Sequence, residues 1–352
     1  MSGISATVGP TPNRAADGIR VLIVDDSVVA RAVIGRMIEG MTRFRVAGSV
    51  SDVRGAFAFL ATADADVILL DLEMPGVNGL TALPDLIVAG RGARILVVSS
   101  AADDGAAAAV QALALGAADT LVKPGVGSFG GRFAVVLEDR LNRLFEADGT
   151  PTPQSARTDA VAGAFDIVAV GASTGGIHAL SQMLRAIPPD FQPPILVTQH
   201  LPTSFMSYFA AQLAVLAGRP CEVATDHMAV RAGRMVVAPG DAHIRCVRST
   251  NGVLIRLSDE PAVSGCMPSV DPMLDSVATV FGERGLGIIL SGMGRDGAIG
   301  AQRLLDTGGS VIVQDKASSV VWGMPGAIAG NASAVLPPAE IGRTVATCRR
   351  PG

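Results

Sequence analysis

The chain has 352 residues, more than one ordinary compact domain holds, so two domains are expected. Hydrophobic residues make up 49% and aromatic residues only 4%, which predicts aliphatic cores, and 41 glycines suit many tight strand-to-helix turns. A formal net charge of −4 gives no basic face for nucleic acid, runs such as Ile167–Val170 and Ile288–Leu290 are too short to span a bilayer, and four scattered cysteines without a Cys-x-x-Cys pair argue against a zinc site or disulfide framework.

Residues 1–18 have no basic start followed by an apolar block. They read as a disordered leader, not a secretion signal, and a cytoplasmic location is expected. From Ile19 to about Phe145, β-branched runs alternate with helix-like stretches. The runs are Val21–Val24, Val67–Leu70, Ile95–Val98 and Thr120–Val122, with a further short strand near Phe44–Val50. The alternation predicts a parallel sheet with helices on both faces, including Val28–Glu39 and Gly105–Leu115. Asp26 or Ser27 stands where that first helix needs a cap.

Functional groups of open parallel sheets gather at the carboxyl ends of the strands. Here Asp25 and Asp26 follow the first run, Asp71 follows Val67–Leu70, Ser99 follows Ile95–Val98, and Lys123 follows Thr120–Val122. Of 28 Lys and Arg residues only Lys123 and Lys316 are lysines, so a lysine at this rim stands out. Close carboxylates repel unless a proton or cation joins them, and hard oxygen ligands suit Mg²⁺. A carboxylate facing Mg²⁺ can attack a phosphoryl group, while the metal and a lysine offset the charge on its oxygens. Any one of these aspartates alone would read equally well as a helix cap; five groups in register do not.

VLIVDDSVVAR, ILLDLEMPGVNGL, ILVVSS and LVKP resemble the receiver domain of bacterial two-component response regulators, over residues 19–146. The resemblance implies a flavodoxin-like fold and Asp71 as phosphoacceptor. It implies Asp25, Asp26, Asp71 and the backbone carbonyl of Glu73 as Mg²⁺ ligands. Ser99 matches the switch hydroxyl and Lys123 the phosphate-sensing lysine.

Residues 147–164 are small, polar and rich in Pro and Gly, and read as a linker. A second α/β series follows over 165–345: Asp166–Val170, Ile195–Thr198, Met235–Ala238, Leu286–Leu290 and Val311–Gln314. Arg245–Leu257, broken by Thr250-Asn251-Gly252, reads as an antiparallel hairpin.

The first of these strands runs into Gly171-Ala172-Ser173-Thr174-Gly175-Gly176, a Gly-x-Ser-x-Gly turn before a helix. Such a turn exposes the hydroxyl and sets it beside helix N–H groups that suit an oxyanion. A serine nucleophile needs a base and an orienting carboxylate. Of the four histidines, His200 alone ends an apolar strand; His178, His227 and His243 do not. Asp296 sits in Ser291-Gly292-Met293-Gly294-Arg295-Asp296-Gly297, the loop after Leu286–Leu290. The Gly-x-Gly-x-x-Gly spacing of dinucleotide sites is broken by Ser173, and the next strand ends in Gln199-His200, not an acid. The chain order Ser, His, Asp also differs from the Ser, Asp, His order of the α/β-hydrolase fold.

GASTGG, VTQHLP, VAPGDAH, PSVD, ILSGMGRDGAIG and VVWGMPGAIA resemble the CheB family of protein-glutamate methylesterases. That resemblance implies a three-layer α/β domain with Ser173 as nucleophile, His200 as base and Asp296 as orienting acid. It implies Met293, through its backbone N–H, and Thr174 at the oxyanion, and no cofactor for the ester chemistry. It further implies glutamate methyl esters and certain glutamines of methyl-accepting chemoreceptors as substrates, and a chemotaxis histidine kinase as phosphodonor. The unphosphorylated receiver is expected to pack over the hydrolase cleft of a monomer, without membrane insertion. Two places depart from the family pattern: Gly265-Cys266-Met267 precede PSVD where an arginine is usual, and Gly326 follows GMP where a basic residue is frequent. From the residues alone two alternatives stay open: a receiver joined to a docking module, or the same chemistry on another methylated or amidated signalling protein.

Overall fold

The structure, a computed structural model, describes residues 18–99, 103–123, 131–145 and 165–347. The expected linker, and the expected leader apart from Gly18, lie outside the described residues.

The N-terminal unit alternates strictly: β1 Ile19–Val24, α1 Val28–Glu39, β2 Phe44–Val50, α2 Val53–Thr62, β3 Val67–Asp71, α3 Gly79–Ala89, β4 Arg94–Ser99, α4 Asp103–Leu115, β5 Asp119–Val122 and α5 Gly131–Phe145. All five strands are parallel, in the order β2-β1-β3-β4-β5. The side chains follow the two-residue strand period. Val21, Ile23, Val67, Leu69, Leu96 and Val98 pack with α1 and α5, while Leu22, Val24, Ile68, Leu70, Ile95 and Val97 join the core on the other face. Each fully buried aliphatic side chain of this kind contributes about 1.5–3 kcal/mol. Helix starts are set by short polar residues. The Ser27 hydroxyl accepts the Ala30 N–H at 3.3 Å, so Ser27, not Asp26, caps α1. Asp52 and Asn78 cap α2 and α3 in the same way.

The C-terminal unit comprises β6 Ile167–Ala172, α6 Gly176–Arg185, β7 Ile195–Gln199, α7 Met206–Ala217, β8 Cys221–Val223, β9 Met235–Val237, β10 His243–Ser249, β11 Gly252–Ser258, α8 Val270–Phe281, β12 Gly285–Ile289, α9 Ala298–Asp306, β13 Ser310–Gln314, α10 Gly323–Ile328, β14 Ala334–Leu336 and α11 Pro338–Thr347. Its seven-stranded sheet is parallel throughout, in the order β14-β13-β12-β6-β7-β9-β8. Helices α6, α7 and α11 share one core face; α8 and α9 share the other, giving three layers. The β10–β11 pair is the expected antiparallel hairpin, with Arg245 opposite Arg256. The edge strands β8 and β14, three residues each, escaped the sequence reading because so short a run shows no period.

The two units meet through α4, which packs against α6 and α7. Its alanines keep that approach close, and Ala106, Ala109, Val110, Ala112 and Leu113 are buried. One continuous apolar cluster consequently runs from the receiver sheet into the second domain.

Candidate functional site

Strand order reverses between β1 and β3 in the first sheet, and around β6 in the second. Side chains at the carboxyl ends of strands flanking such a reversal face a shared crevice. The two sets of sequence-selected residues stand at these two places.

At the first, Asp25 and Asp71 are buried and Asp26 is exposed, and one carboxylate oxygen from each lies within 4.8 Å of the others. Lys123 Nζ bonds Asp25 Oδ2 at 2.7 Å and Asp71 Oδ2 at 2.8 Å. Burial raises the Asp71 carboxyl against the pull of Lys123 and of the Glu73 N–H, which donates to Asp71 Oδ1 at 3.1 Å. Burial lowers the Lys123 amine, but its bonds to Asp25 and Asp71 outweigh that and hold it above its ordinary value. Ser99 Oγ is fully buried and has no hydrogen-bond partner among the described residues. An unpaired buried hydroxyl costs about 1–3 kcal/mol, which an arriving oxyanion would recover. Three hard oxygen donors at this spacing fit a divalent cation such as Mg²⁺.

At the second, Ser173 follows β6 directly and His200 follows β7 directly. The His200 N–H donates to the Ala172 carbonyl at 3.1 Å, so the histidine backbone lies beside the serine turn. The turn is held from both sides. Ser173 donates its N–H to the Ser291 carbonyl at 3.0 Å and accepts Gln199 Nε2 at 2.9 Å. Gly175 sits at φ +75°, a conformation glycine adopts without strain, and caps α6. Gly292 passes so close that an added Cβ would lie 2.9 Å from Ser173 Cβ. Its N–H bonds Val321 O at 3.0 Å and its carbonyl accepts Met324 N–H at 2.8 Å, fixing the loop that carries Met293.

His200 Nε2 is 2.8 Å from Asp296 Oδ2. Asp296 is itself clamped: Oδ2 also accepts the Val270 N–H at 2.8 Å, and Oδ1 accepts the Ser269 hydroxyl at 2.6 Å. Burial works against its charge, but these donors and His200 win and hold it down at about 2. Burial likewise opposes a charged imidazole, yet Asp296 and then Cys266 carry His200 up to about 9. Ser173, His200, Met293 and Asp296 all line one cavity of about 990 Å³. Thr174 is buried, and its hydroxyl donates across the domain boundary to Asp119 Oδ2 at 3.1 Å.

Sequence reasoning passed over His243 and Ser269. His243 is fully buried; its Nδ1 accepts the Ser269 N–H at 2.8 Å, so Nε2 carries the proton and donates to the Glu260 carbonyl at 2.9 Å. The imidazole thereby sets the backbone of the residue that clamps Asp296. The signal was present in the VAPGDAH and PSVD segments, but their contact spans 26 residues and no local period reveals it.

The receiver reaches this cleft. Asp119, at the start of β5, accepts Arg140 at 2.9 Å as well as Thr174. The Gly175 N–H donates to the Ala118 carbonyl at 2.8 Å, and His178 Nδ1 donates to the Ala114 carbonyl at 3.1 Å. Between the domains a second cavity of about 370 Å³ is lined by Asp119, Arg140 and Phe133 on one side, and by His200, Pro202 and Phe205 on the other. His200 thus borders both cavities, and Arg143 of α5 lines the larger one.

Fold and rims together define a response regulator with an enzymatic α/β output domain. Residues 21–127 match the response regulator receiver domain and residues 168–345 the CheB methylesterase family. A protein of Paramagnetospirillum magneticum named protein-glutamate methylesterase/protein-glutamine glutaminase 1 is 37% identical over 94% of this chain and 96% of its own. One of Caulobacter vibrioides, named protein-glutamate methylesterase/protein-glutamine glutaminase 2, is 38% identical over 94% of this chain and 99% of its own. The crystal structure of the Thermotoga maritima CheB methylesterase catalytic domain covers 53% of this chain and 99% of that one, with 34% identity and a TM-score of 0.50. The chain belongs to the CheB methylesterase family, with a receiver domain ahead of the methylesterase domain.

Proposed function

We propose that this chain is a phosphorylation-activated serine hydrolase that demethylates glutamate methyl esters, and deamidates glutamines, on methyl-accepting chemoreceptors. The names of its relatives support the substrate class. The observation that carries the chemistry is the 2.8 Å His200–Asp296 pair opening on the same cavity as Ser173.

Ser173 Oγ attacks the ester carbonyl carbon and passes its proton to His200, at the ring nitrogen that Asp296 does not hold. Asp296 fixes the imidazole and stabilises its charged form. Negative charge on the tetrahedral oxygen falls to the backbone N–H groups of Met293 and Thr174. His200 returns the proton to the leaving methoxy group, and methanol departs. Water, giving a proton to His200, then attacks the acyl-serine, and His200 passes that proton to Ser173 Oγ as the acyl bond breaks and glutamate departs. With a glutamine substrate the leaving group is ammonia.

In the receiver, Asp71 accepts the phosphoryl group from a chemotaxis histidine kinase. Asp25, Asp26, Asp71 and the Glu73 carbonyl would hold Mg²⁺, which when bound offsets charge on the phosphoryl oxygens. Ser99, buried without a partner among the described residues, turns to the new oxygens, and Lys123 exchanges its carboxylate contact for the phosphate. Both moves act on β4 and β5, and β5 begins at the Asp119 that grips Thr174. Phosphorylation shifts the population away from this closed arrangement.

The test is methanol release from receptor-enriched membranes, with and without a small-molecule phosphodonor. Ser173→Ala should lose at least about 10⁴-fold in rate. Asp71→Asn should keep the basal rate and lose the response to phosphodonor. Wild-type release by Ser173→Ala would overturn the hydrolase reading.

A further inference from the structure

The sequence spacing of the cysteines argued against a zinc framework, yet the fold carries one of them to the catalytic imidazole. Cys266 Sγ, a ring nitrogen of His200 and a carboxylate oxygen of Asp296 lie within 4.8 Å of one another. The Cys266 thiol otherwise donates only a long contact, 3.9 Å, to the Ser264 carbonyl among the described residues. It is half-buried, on the stretch 263–266 that rims the larger cavity, so the group is open to an ion from solvent. Gly265 beside it, at φ +70° with open space around it, leaves the thiol room to adjust.

The donor set has a specific chemistry. Imidazole nitrogen and thiolate sulfur are the ligands that Zn²⁺ and similar thiophilic divalent cations prefer, unlike the hard oxygens at the receiver rim. Asp296 is already saturated by Ser269, Val270 and His200. It therefore serves as the partner that orients the histidine, in the carboxylate–histidine–metal arrangement common around zinc. Ligation at the other ring nitrogen leaves that contact intact.

We propose that a thiophilic divalent cation, Zn²⁺ in type, binds across His200 and Cys266 and silences the hydrolase whatever the state of the receiver. Binding breaks the Cys266 S–H bond and, where the imidazole is charged, the N–H bond at the ligating nitrogen, forms metal–sulfur and metal–nitrogen bonds and releases these protons to solvent; no redox change is involved. Water or the Ser173 hydroxyl completes the shell. The inhibitory consequence rests on the reading of His200 as the base, because the ion takes the nitrogen that Ser173's proton needs. Binding itself does not rest on that reading. Protons compete for the same imidazole, so affinity rises with pH.

The experiment uses the full-length protein with its thiols reduced and Mg²⁺ in excess. Co²⁺ is the optical probe for binding, and Zn²⁺ is titrated against methanol release. A sulfur-to-Co²⁺ charge-transfer band with one ion per chain is expected in the wild type and in Ser173→Ala, and is expected to vanish in Cys266→Ser and Cys266→Ala. Read against its own metal-free rate, each cysteine variant should lose Zn²⁺ sensitivity by about 100-fold or more, since partners one shell further out already carry about 10- to 100-fold in metal affinity. Inhibition in the wild type should reverse on adding a zinc chelator. A Co²⁺ spectrum without a Cys266-dependent band, or equal Zn²⁺ inhibition of wild type and Cys266→Ser, would overturn the site. A normal band without inhibition would overturn the silencing. Failure of the hydrolase reading shows separately, as activity in Ser173→Ala.

Discussion

In the receiver, Asp25, Asp71, Ser99 and Lys123 are each the last residue of a strand or the one after it. In the second domain Ser173 and His200 obey the same rule, but Asp296 stands well beyond the end of β12, and its clamps come from elsewhere again. Ser269 precedes α8, and His243 begins the hairpin. The first site is thus written by strand position alone, and Lys123 offsets one of its three carboxylate charges. The second needs an inserted hairpin to hold one carboxylate in place. A phosphoacceptor tolerates this economy because its substrate supplies most of the reactivity. A proton relay does not, because an imidazole turned away from its carboxylate loses its tautomer and its aim.

The strongest way to break that contrast is Asp296→Asn. Removing the charge should lower kcat by about 10⁴-fold. It also predicts a direction on the pH axis. Asp296 and Cys266 hold the imidazole up at about 9, against the downward push of burial. If His200 is the base, as proposed, it must be neutral to act, so wild-type kcat/KM should rise with pH on a limb above the ordinary histidine range. With the carboxylate gone, burial remains and that limb should move to lower pH. A limb that stays in place would mean that Asp296 does not govern His200.

The contact between the two regions comes next in size. Asp119 joins Arg140 and Thr174, one residue from Ser173, across the domain boundary. Asp119→Ala in the full-length chain should raise basal methanol release by about tenfold, the equivalent of one charge-assisted hydrogen bond of about 1.5–3 kcal/mol, only part of which biases the closed state. Phosphodonor should then add less than it does to the wild type. A basal rate equal to wild type, with a normal melting transition, would show that the grip on Thr174 does not restrain the enzyme.

How much was legible in the sequence follows from the same contrast. The receiver groups could be read from short apolar runs because each functional residue touches its strand. Ser173 and His200 were equally visible. The carboxylate was reachable only through a glycine-rich loop whose composition also suits a plain turn. His243 looked like a histidine in irregular surroundings, because its partners Ser269 and Glu260 lie on the far side of the hairpin. Thr174 was expected at the oxyanion, and its hydroxyl additionally reaches a receiver aspartate, a contact spanning 55 residues that no spacing rule anticipates. The cleft-side position of Cys266 was hidden for the same reason: the loop folds back over Asp296.

The smallest expected effect tests the hairpin support itself. Ser269→Ala deletes the 2.6 Å bond to Asp296 Oδ1 but leaves the Val270 N–H and His200 in place. The carboxylate stays paired with the imidazole but can rock, so kcat should fall about tenfold with KM unchanged, and Ser269→Thr should restore part of the loss. Stability reports on the same bond. The folded-state carboxyl sits at about 2, below its ordinary 3.8, so its contribution is complete above 3.8 and drains away as pH falls toward 2. Ser269 is one of the groups that hold it down. Without that hydroxyl the folded value rises, the window narrows, and acid unfolding should begin at a higher pH than in the wild type. An unchanged acid midpoint together with an unchanged kcat would mean that Val270 and His200 alone fix Asp296, and that the second domain needs no more support for its carboxylate than the receiver does.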